Sequence, residues 1–563
     1  MNTKNIFIKD KIDAMSLEQK AGALMTLGFN GTIITPNIYE YVTRYQCGGL
    51  RLTPPERTFG NYVDPNTGKT TAAVKGDEYY YKQGVNPPEF TAEEYKAVLD
   101  ELAGLARRRP LSLPLHFSFD NEGEGNCSFS GFSMFPQPMG LRATGDPRYA
   151  YEVAKVIGRQ ARSVGMNVIH SPVLDVNSDP RNPEINIRAY SDKAEEVAEY
   201  AAATCRGFRD VKLSATGKHF PGRGHSAEDA HYSVPVIDVD MDTLWNRELL
   251  PYRHLIDLGL LPSIMLAHTI YPAIDPDAIA TVSRKVITGL IRDRMGFEGV
   301  VTTDSMTMAG VANQYDVPEA CAMSLAAGAD LVLMKAQDQL VGQTFNAIKA
   351  FIENGRIPAA ELDRKLARIL GMKYDLGLFD ADAPQEPPAA LVADVAIKEL
   401  ESEVARKACV ILKSEPGALP LRKDQRFLLV EQIATERNNS RQHPAMMFKE
   451  AIRHNSALAF CEIAFSPDEE DKNRVRDLIP GFDTVVATNF QDRASVAATD
   501  FWSEMIANHP DKTFIVVTNK PFRFTMPDNA KTLICTYSKA PESLKTAVQL
   551  LFGKLNPGGE QLS

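Results

Sequence analysis

Residues 166–219 contain a strand-like segment, MNVIHSPVLD (166–175), then DKAEEVAEYAAATCRGF (192–208), then LSATGKH (213–219). The outer two are short and rich in apolar and β-branched residues, as buried strands are. The middle segment places apolar residues at i, i+3 and i+4 and has acidic residues near its start, where they favour a helix. A strand, a helix and a second strand in this order predict a βαβ unit with parallel strands.

The same alternation of strand and helix extends over the first two thirds of the chain. Six further apolar segments are predicted strands: Ala21–Phe29, Gly48–Leu52, Leu113–Asp120, Pro262–His268, Gly299–Asp304 and Ala329–Met334. Amphipathic segments such as Pro147–Val164 are predicted to form helices between most of them. Eight strands alternating with helices predict an α/β fold, a (β/α)8 TIM-like barrel over residues 1–380.

Several of the predicted strands end in a polar or ionisable residue. Asp120, Asp175, His219, His268 and Asp304 each follow an apolar run. Loops are generally polar, so a single residue of this kind would indicate little. In a barrel, however, the carboxyl ends of all strands meet on one face, where the active sites of barrel enzymes lie. The five residues together therefore predict a site on that face.

A second domain is predicted after a linker. Residues 381–395 begin with ADAPQEPPAA, a Pro- and Ala-rich run typical of a domain boundary. Five strands predicted beyond it are Ala408–Leu412, Phe427–Val430, Thr484–Ala487, Thr513–Val517 and Thr532–Cys535. They alternate with helices, so residues 396–563 are predicted to form an α/β sandwich. Within the barrel, residues 54–90 are longer than a usual connection, and we interpret them as an insertion forming a lid or an oligomer contact.

The composition limits the classes of protein. The 62 Lys and Arg against 72 Asp and Glu give a net charge of −10, which argues against a nucleic-acid partner. No apolar run approaches the ~18 residues of a membrane helix, and the N-terminus has no apolar segment typical of a secretory signal. The seven cysteines are scattered without a CxxC pair, as is usual for reduced thiols. We therefore expect a cytoplasmic protein without a membrane partner.

The densest cluster of reactive side chains is GKHFPGRGHSAEDAH at residues 217–231. Asp229 and His231 are two residues apart, so the carboxylate can fix the tautomer of the imidazole and raise its pKa. Such a dyad can donate and accept a proton, although a chance pair in a solvated loop is the alternative. A second alternative is a metal site formed by His219, His225 and His231 with Asp229, at spacings longer than those usual for zinc.

A third feature is VVTTDSMTMAG at residues 300–310, where a buried apolar strand ends in a carboxylate. Asp304 could act as a nucleophile, a base or a metal ligand. The spacing along the chain does not distinguish these roles.

These motifs resemble glycoside hydrolase family 3, and most closely its β-N-acetylhexosaminidase branch. The similar segments, in the family's order, are FDNEG (119–123), SPVLDVN (171–177), KHFPG (218–222) followed by Asp229-x-His231, Thr303-Asp304 and LFGKLNPGG (551–559). The resemblance covers nearly the whole chain and implies a barrel followed by a sandwich domain.

The resemblance implies a retaining double displacement on a small β-linked carbohydrate, with no cofactor and no metal. Asp304 would attack the anomeric carbon, His231 would be the acid/base, and Asp229 would orient His231. The residues implied to bind the sugar are Asp120, Arg188, Lys218 and His219. The alternative for these residues is structural, with Lys218 and Arg188 neutralising Asp120 and Asp175.

Some positions depart from the branch pattern. Arg223 stands where the branch usually carries His, and Ser128 stands where it has an Arg that binds sugar hydroxyls. The expected activity is that of an exo-acting β-N-acetylglucosaminidase. A glycoside phosphorylase, a β-glucosidase or β-xylosidase and a non-catalytic sugar-binding barrel stay open as alternatives, and so does a homodimer. Because the dyad lies in the barrel, the second domain need not supply the acid.

Overall fold

The computed structural model describes residues 3–29, 33–52, 91–124, 131–228, 234–335, 339–380, 385–433, 446–491, 498–556 and 558. The dyad residues Asp229 and His231, the position Ser128 and the predicted 54–90 insertion lie outside these ranges.

The first eight strands form a closed parallel barrel in sequence order, with β8 pairing back to β1. They are β1 (Met25–Phe29), β2 (Gly49–Leu52), β3 (His116–Phe119), β4 (Val168–Ile169), β5 (Ser214–Phe220), β6 (Ser263–Leu266), β7 (Val300–Ser305) and β8 (Leu331–Met334). Each lies within or overlaps one of the eight predicted strands, so the predicted barrel is confirmed.

The α-helices before the second sheet are α1 (Thr3–Ala14), α2 (Leu17–Ala23), α3 (Pro36–Thr43), α4 (Ala92–Arg107), α5 (Pro138–Ala143), α6 (Pro147–Ser163), α7 (Ala194–Asp210), α8 (Met241–Thr243), α9 (Leu250–Asp257), α10 (Ala309–Ala312), α11 (Val317–Ala327), α12 (Leu340–Glu353), α13 (Ala359–Asp375), α14 (Pro388–Ala393) and α15 (Val395–Ala408). The 3₁₀ segments in this part are Pro110–Ser112, Asn186–Arg188 and Ala280–Val282, and π-helical segments are Leu244–Glu248 and Lys285–Arg294.

Local sequence signals explain where these helices begin. α2 begins with a capping box in which the Ser16 hydroxyl and the Gln19 side chain satisfy each other's backbone N–H groups. α6 begins at Pro147, and the Asp146 carboxylate accepts the free N–H of Arg148 at 2.8 Å. The predicted helix at 147–164 is therefore confirmed almost to the residue.

The second domain contains a six-stranded sheet in the order β11-β10-β12-β13-β14-β9, in which only β9 is antiparallel to its neighbour. Its strands are β9 (Val410–Lys413), β10 (Leu428–Ile433), β11 (Ala459–Ala464), β12 (Thr484–Asn489), β13 (Thr513–Thr518) and β14 (Thr532–Cys535), and its helices are α16 (Met446–Ala451), α17 (Glu469–Leu478), α18 (Thr499–Asn508) and α19 (Pro541–Leu551), with 3₁₀ turns at Ile479–Gly481 and Arg523–Thr525.

The helix that follows the predicted linker packs on both domains. Its residues Ile397 and Val404 belong to the same apolar cluster as the barrel core, and α15 also contacts α19 of the second domain. The domain limits at 380 and 396 stay predictions. No helix among the described residues is long and apolar enough to cross a membrane.

Candidate active site

The carboxyl face of the barrel brings together the residues selected at the strand ends. Asp120 directly follows β3, Lys218 and His219 lie in the carboxyl half of β5, and Asp304 is the last residue but one of β7. Arg188 lies on the connection after β4. It reaches the same face, as its hydrogen bond to Glu122 in the loop that follows β3 shows. Parallel strands in a barrel place their carboxyl ends together, and these side chains follow that rule.

A series of alternating charges begins at Arg51 in β2. The Arg51 guanidinium donates a short hydrogen bond to Oδ2 of Asp120. The Lys218 ammonium lies 3.2 Å from Oδ1 of Asp120 and 2.6 Å from Oε1 of Glu122. Nδ1 of His170 lies 3.4 Å from Oδ1 of Asp120. The carboxylate of Asp120 is therefore surrounded by three basic side chains.

The series continues from Glu122 to the predicted nucleophile. Arg188 donates to both oxygens of Glu122, from Nε at 2.6 Å and from Nη2 at 2.9 Å, and its Nη1 lies 3.7 Å from Oε1 of Glu184. Nη2 of Arg223 donates to Oε1 of Glu184 at 2.6 Å. The same nitrogen lies 3.8 Å from Oδ2 of Asp304.

We name this series the ion-pair chain: Arg51, Asp120, Lys218, Glu122, Arg188, Glu184, Arg223 and Asp304. It contains four cations and four anions, so its formal charges cancel, which is what makes their burial tolerable. The Asp120 and Asp304 side chains are 20% and 16% exposed, and the other six at most 12%. A molecule entering this face would therefore meet the two carboxylates at its surface first.

The pKa of Glu122 shows how strongly the pairs act. Burial alone would raise it, but the charges of Arg188 and Lys218 and their hydrogen bonds hold the pKa well below its usual range. Glu122 is therefore ionised throughout the range in which proteins are stable, and it fixes the side chains of both cations.

Asp304 is held in its ionised form. Burial raises its pKa, but the charges of His268, Arg223 and Lys335 and the Ser305 N–H, which donates to Oδ1 at 2.7 Å, bring the pKa below its ordinary value. Burial also lowers the pKa of His268. The imidazole of His268 is thus uncharged at neutral pH and carries its charge only in acid. At neutral pH the positive charges that act on Asp304 are those of Arg223 and Lys335. An ionised carboxylate is the form that attacks an electrophilic carbon.

His268 also supports the backbone beside Asp304. Its Nε2 lies 3.0 Å from the carbonyl oxygen of Ser305 and therefore carries the proton, while Nδ1 lies 2.7 Å from the Thr281 hydroxyl. This side chain, which is fully buried, fixes the end of β7.

His219 and Asp175 form a second buried pair. Nδ1 of His219 lies 2.7 Å from Oδ2 of Asp175, and the Arg223 backbone N–H donates to Oδ1 of the same carboxylate at 2.7 Å. Burial, opposed by the charge of Arg223, raises the pKa of Asp175 to about 6. The carboxylate is therefore ionised at neutral pH and keeps the proton of His219 on Nδ1.

The metal-site alternative gains no support from the part of the chain that the structure describes, where no three His, Cys, Asp or Glu side chains are placed to hold a metal ion. Nδ1 of His225 lies 3.1 Å from the Ser178 hydroxyl. Because Asp229 and His231 lie outside the described residues, their roles as a dyad or as metal ligands stay predictions.

The structure brings three of the four predicted sugar-binding residues, Asp120, Arg188 and Lys218, into one network with Asp304. Lys218 does pair with Asp120, as the structural alternative proposed, but Arg188 pairs with Glu122.

Sequence reasoning did not select Arg51, Glu122 or Glu184 as site residues. Glu122 lies within the quoted FDNEG motif, and Arg51 is a charged residue inside an otherwise apolar strand, GLRL. Either feature could have indicated a buried ion pair. Glu184 gave no comparable signal.

A barrel with an ionised carboxylate and a charged cluster at its carboxyl face is typical of barrel enzymes. Residues 90–372 match the model of the "Glycosyl hydrolase family 3 N terminal domain". That match covers half of the chain. The chain therefore belongs to glycoside hydrolase family 3, and it is a glycosidase.

Similar proteins agree with this family. A solved β-N-acetylglucosaminidase of family 3 from Paenibacillus sp. str. FPU-7 superposes with a TM-score of 0.84 at 27% identity, covering 97% of this chain and 98% of that one. A β-N-acetylglucosaminidase/β-glucosidase from Cellulomonas fimi is 28% identical, over 84% of this chain and 86% of that protein. β-Hexosaminidase A from Pseudoalteromonas piscicida is 29% identical over 69% of this chain, and the match spans 63% of that protein.

Proposed function

We propose that this protein is a retaining, exo-acting β-N-acetylglucosaminidase in which Asp304 is the nucleophile. The observation that carries the proposal is the position of Asp304, an ionised carboxylate at the carboxyl end of β7, joined through Arg223 to the residues proposed to bind sugar. The names of the similar proteins from Paenibacillus and Cellulomonas support N-acetylglucosamine as the sugar.

In the proposed first step, an oxygen of Asp304 forms a bond to the anomeric carbon while the bond from that carbon to the leaving oxygen breaks. His231, oriented by Asp229, gives its proton to the leaving oxygen. In the second step a water oxygen attacks the anomeric carbon, His231 takes the proton of the water, and the ester bond to Asp304 breaks. Two inversions give net retention. The spacing of Asp229 and His231 in the sequence supports the proposed roles of His231 as the acid/base and of Asp229 as the residue that orients it.

The exposure of the side chains supports a division of the sugar contacts. Asp120 and Arg188 are the more accessible of the four proposed ligands, whereas Lys218 and His219 are almost fully buried. We assign direct hydrogen bonds with sugar hydroxyls to Asp120 and Arg188. Lys218 and His219 can reach the sugar only through the small exposed part of each side chain, at the deepest point of the site. Charge-assisted contacts of this kind reject sugars that lack the matching hydroxyl, because the buried partner is left unpaired.

The first experiment compares Asp304→Ala with Asp316→Ala on aryl β-glycosides of N-acetylglucosamine, glucose and xylose. Asp304→Ala should lose at least about a thousandfold in kcat, and azide should restore turnover as an α-glycosyl azide, because a small anion can replace the missing carboxylate. Asp316 caps α11, so its replacement should affect stability alone. Full activity of Asp304→Ala would remove the assignment, and preference for the glucoside would favour a β-glucosidase.

The ion-pair chain favours a second candidate, phosphorolysis. When Asp304 becomes a glycosyl ester, the ion-pair chain keeps four cations but only three anions. This leaves a net positive charge beside the anomeric carbon. Such a charge favours an anionic acceptor such as phosphate over water. The test is turnover with and without phosphate, followed by analysis for sugar 1-phosphate. A rate that does not depend on phosphate, with free sugar as the product, would exclude this candidate.

A further inference from the structure

The second domain contacts the loop that follows β3, next to a member of the ion-pair chain. Glu124 lies two residues after Glu122 on this loop. Oε2 of Glu124 accepts hydrogen bonds from the Ser538 hydroxyl and from the Lys539 backbone N–H, both at 2.6 Å. The Lys539 ammonium lies 3.8 Å from Oε1, and the side chains of Lys539 and Glu124 are 7% and 12% exposed. A carboxylate of the barrel therefore accepts two hydrogen bonds from the second domain and lies beside one of its ammonium groups.

The loop that supplies these donors, residues 536–540 between β14 and α19, is itself fixed. The Ser538 hydroxyl also accepts the Ala540 N–H at 2.9 Å, and the Thr536 hydroxyl donates to the Ser538 carbonyl at 2.6 Å. Tyr537 is fully buried and has a φ of 51°, a left-handed conformation that non-glycine residues keep only where the surroundings hold them. Such strained positions are found where a structure must present a group accurately.

The barrel side of the contact is equally tight. The N–H of Gly123 donates to Oδ1 of Asn121 at 2.9 Å, and Gly123 has a φ of 111°. A Cβ at this glycine would come within 2.3 Å of the Pro136 carbonyl oxygen. The segment from Asp120 to Glu124 therefore has little room to deform, and a displacement of its end should move the carboxylates that precede it.

A second contact lies behind the other partner of the same ion pair. Ile187, the residue before Arg188, belongs to an apolar cluster shared by the two domains. The buried members of this cluster are Met139, Ala143, Ile187, Val410, Cys535 and Tyr537. In addition, the Gln137 N–H donates to the Tyr537 carbonyl at 3.2 Å. The second domain thus contacts residues that are close neighbours in sequence of both Glu122 and Arg188.

We propose that residues 536–539 of the second domain position the Glu122–Arg188 ion pair, so that this domain sets the affinity for the sugar without contacting the reacting atoms. Ser538 and Glu124 are positioning residues in this arrangement. The proposal rests on the proposed function, because it takes the ion-pair chain as the sugar-binding network. It assigns a role to the second domain that the dyad in the barrel leaves open.

The test compares Ser538→Ala with Tyr149→Phe. The Tyr149 hydroxyl also donates to a carboxylate across the two domains, that of Glu403 at 2.5 Å, but it lies on α6, outside the ion-pair chain. Ser538→Ala should lower kcat/KM about tenfold, mainly through KM, because a hydrogen bond to a charged group is lost. Tyr149→Phe should leave KM unchanged. Ser538→Thr, which keeps a hydroxyl, should recover most of the loss.

Melting temperatures of both variants separate positioning from simple stabilisation. A contact that only stabilises the fold would lower the melting temperature of Ser538→Ala and Tyr149→Phe alike and leave both KM values unchanged, which would overturn the proposal. The affinity for N-acetylglucosamine, measured by titration calorimetry with Asp304→Ala as the parent, gives the same comparison without turnover. If Ser538→Ala leaves this affinity unchanged, the positioning role is overturned. Failure of the proposed function has a different sign, which is full activity of Asp304→Ala.

Discussion

Arg223 places a buried positive charge between two carboxylates of the site. Its side chain donates to Glu184 and lies 3.8 Å from Asp304, while its backbone N–H donates to Asp175. The other titratable groups whose charges act on Asp304, or on which Asp304 acts, are His268, Lys335, Lys218 and His170. Burial lowers the pKa of both histidines. Arg223 is therefore a main source of the electrostatic field that keeps Asp304 ionised at neutral pH.

Replacing Arg223 by Gln should move the acid limb of the kcat/KM profile to higher pH. Removal of a nearby cation raises the pKa of Asp304, so the carboxylate becomes protonated, and inactive as a nucleophile, at a higher pH than in the parent. We expect a shift of about one pH unit, the lower end of what a close charge causes. The measurement is kcat/KM for an aryl β-glycoside across the acid range.

Arg292→Gln is the matched control for this prediction. Arg292 is a partly buried arginine that donates to the buried carboxylate of Asp330 at 2.6 Å, and this carboxylate also accepts the N–H of Val301, near the amino end of β7 and three residues before Asp304. Arg292→Gln should lower the stability of the protein without moving the acid limb of the kcat/KM profile. An unshifted acid limb in Arg223→Gln would contradict the prediction that the charge of Arg223, acting on the Asp304 carboxylate, determines this limb.

At the scale of single residues, the sequence predicted which charged residues follow the strands, but not the side chains with which they form ion pairs. Asp120 and Asp304 could be selected because each follows an apolar run. Arg51 and Asp120 are separated by 69 residues, and Glu184 and Arg223 by 39. Pairs of this kind arise only when the barrel closes, so a single sequence without the fold holds little information about them.

Among the elements, the connection after β5 depends on a glycine. Gly224 lies so close to the segment after β4 that a Cβ would come within 1.7 Å of the Val176 carbonyl oxygen. The Gly224 carbonyl accepts the Asp179 N–H at 3.3 Å. This close approach holds the connection that carries Arg223 and leads to the predicted dyad.

Gly224→Ala should lower kcat by about a hundredfold, since a shift of about 1 Å in a catalytic group has effects of that size. The added methyl group meets backbone and cannot be accommodated by a rotation of a side chain. Gly481→Ala is the control, because nothing lies within 4 Å of a Cβ at that position. The measurement is kcat with a melting curve for each variant. Normal activity of Gly224→Ala would mean that the connection tolerates displacement.

Burial explains which elements the sequence predicted. β1, β6 and β8 are buried over their whole length and consist mostly of apolar residues, so they are easily recognised. The prediction of a strand from Ala21 was wrong for its first residues, because Leu17–Ala23 forms α2 and only Met25–Phe29 is the strand. β11 was missed because this edge strand is only partly buried and contains Glu462 in an exposed position.

For the whole molecule, the two domains share apolar core through α15. Ile397 and Val404 on this helix are buried in the barrel cluster, although the helix belongs to the predicted second domain. The cluster around Tyr537 joins the domains a second time. A barrel without the second domain would expose these apolar surfaces to water, which costs about 25 cal/mol per Å². We therefore expect the two domains to unfold as one unit.

The chain has only two tryptophans, one in each domain, which makes this expectation testable. Trp502 is fully buried in the second domain and donates to the Thr488 carbonyl at 3.0 Å, whereas Trp245 lies in the barrel. In Trp245→Phe, urea should change the Trp502 emission and the far-ultraviolet circular dichroism at one midpoint. Adding Val404→Ala should lower the free energy of unfolding by roughly 2 kcal/mol, because it leaves a cavity in the shared core, and both midpoints should therefore move together to lower urea. Separate midpoints would show that the domains unfold independently, and that α15 does not couple them.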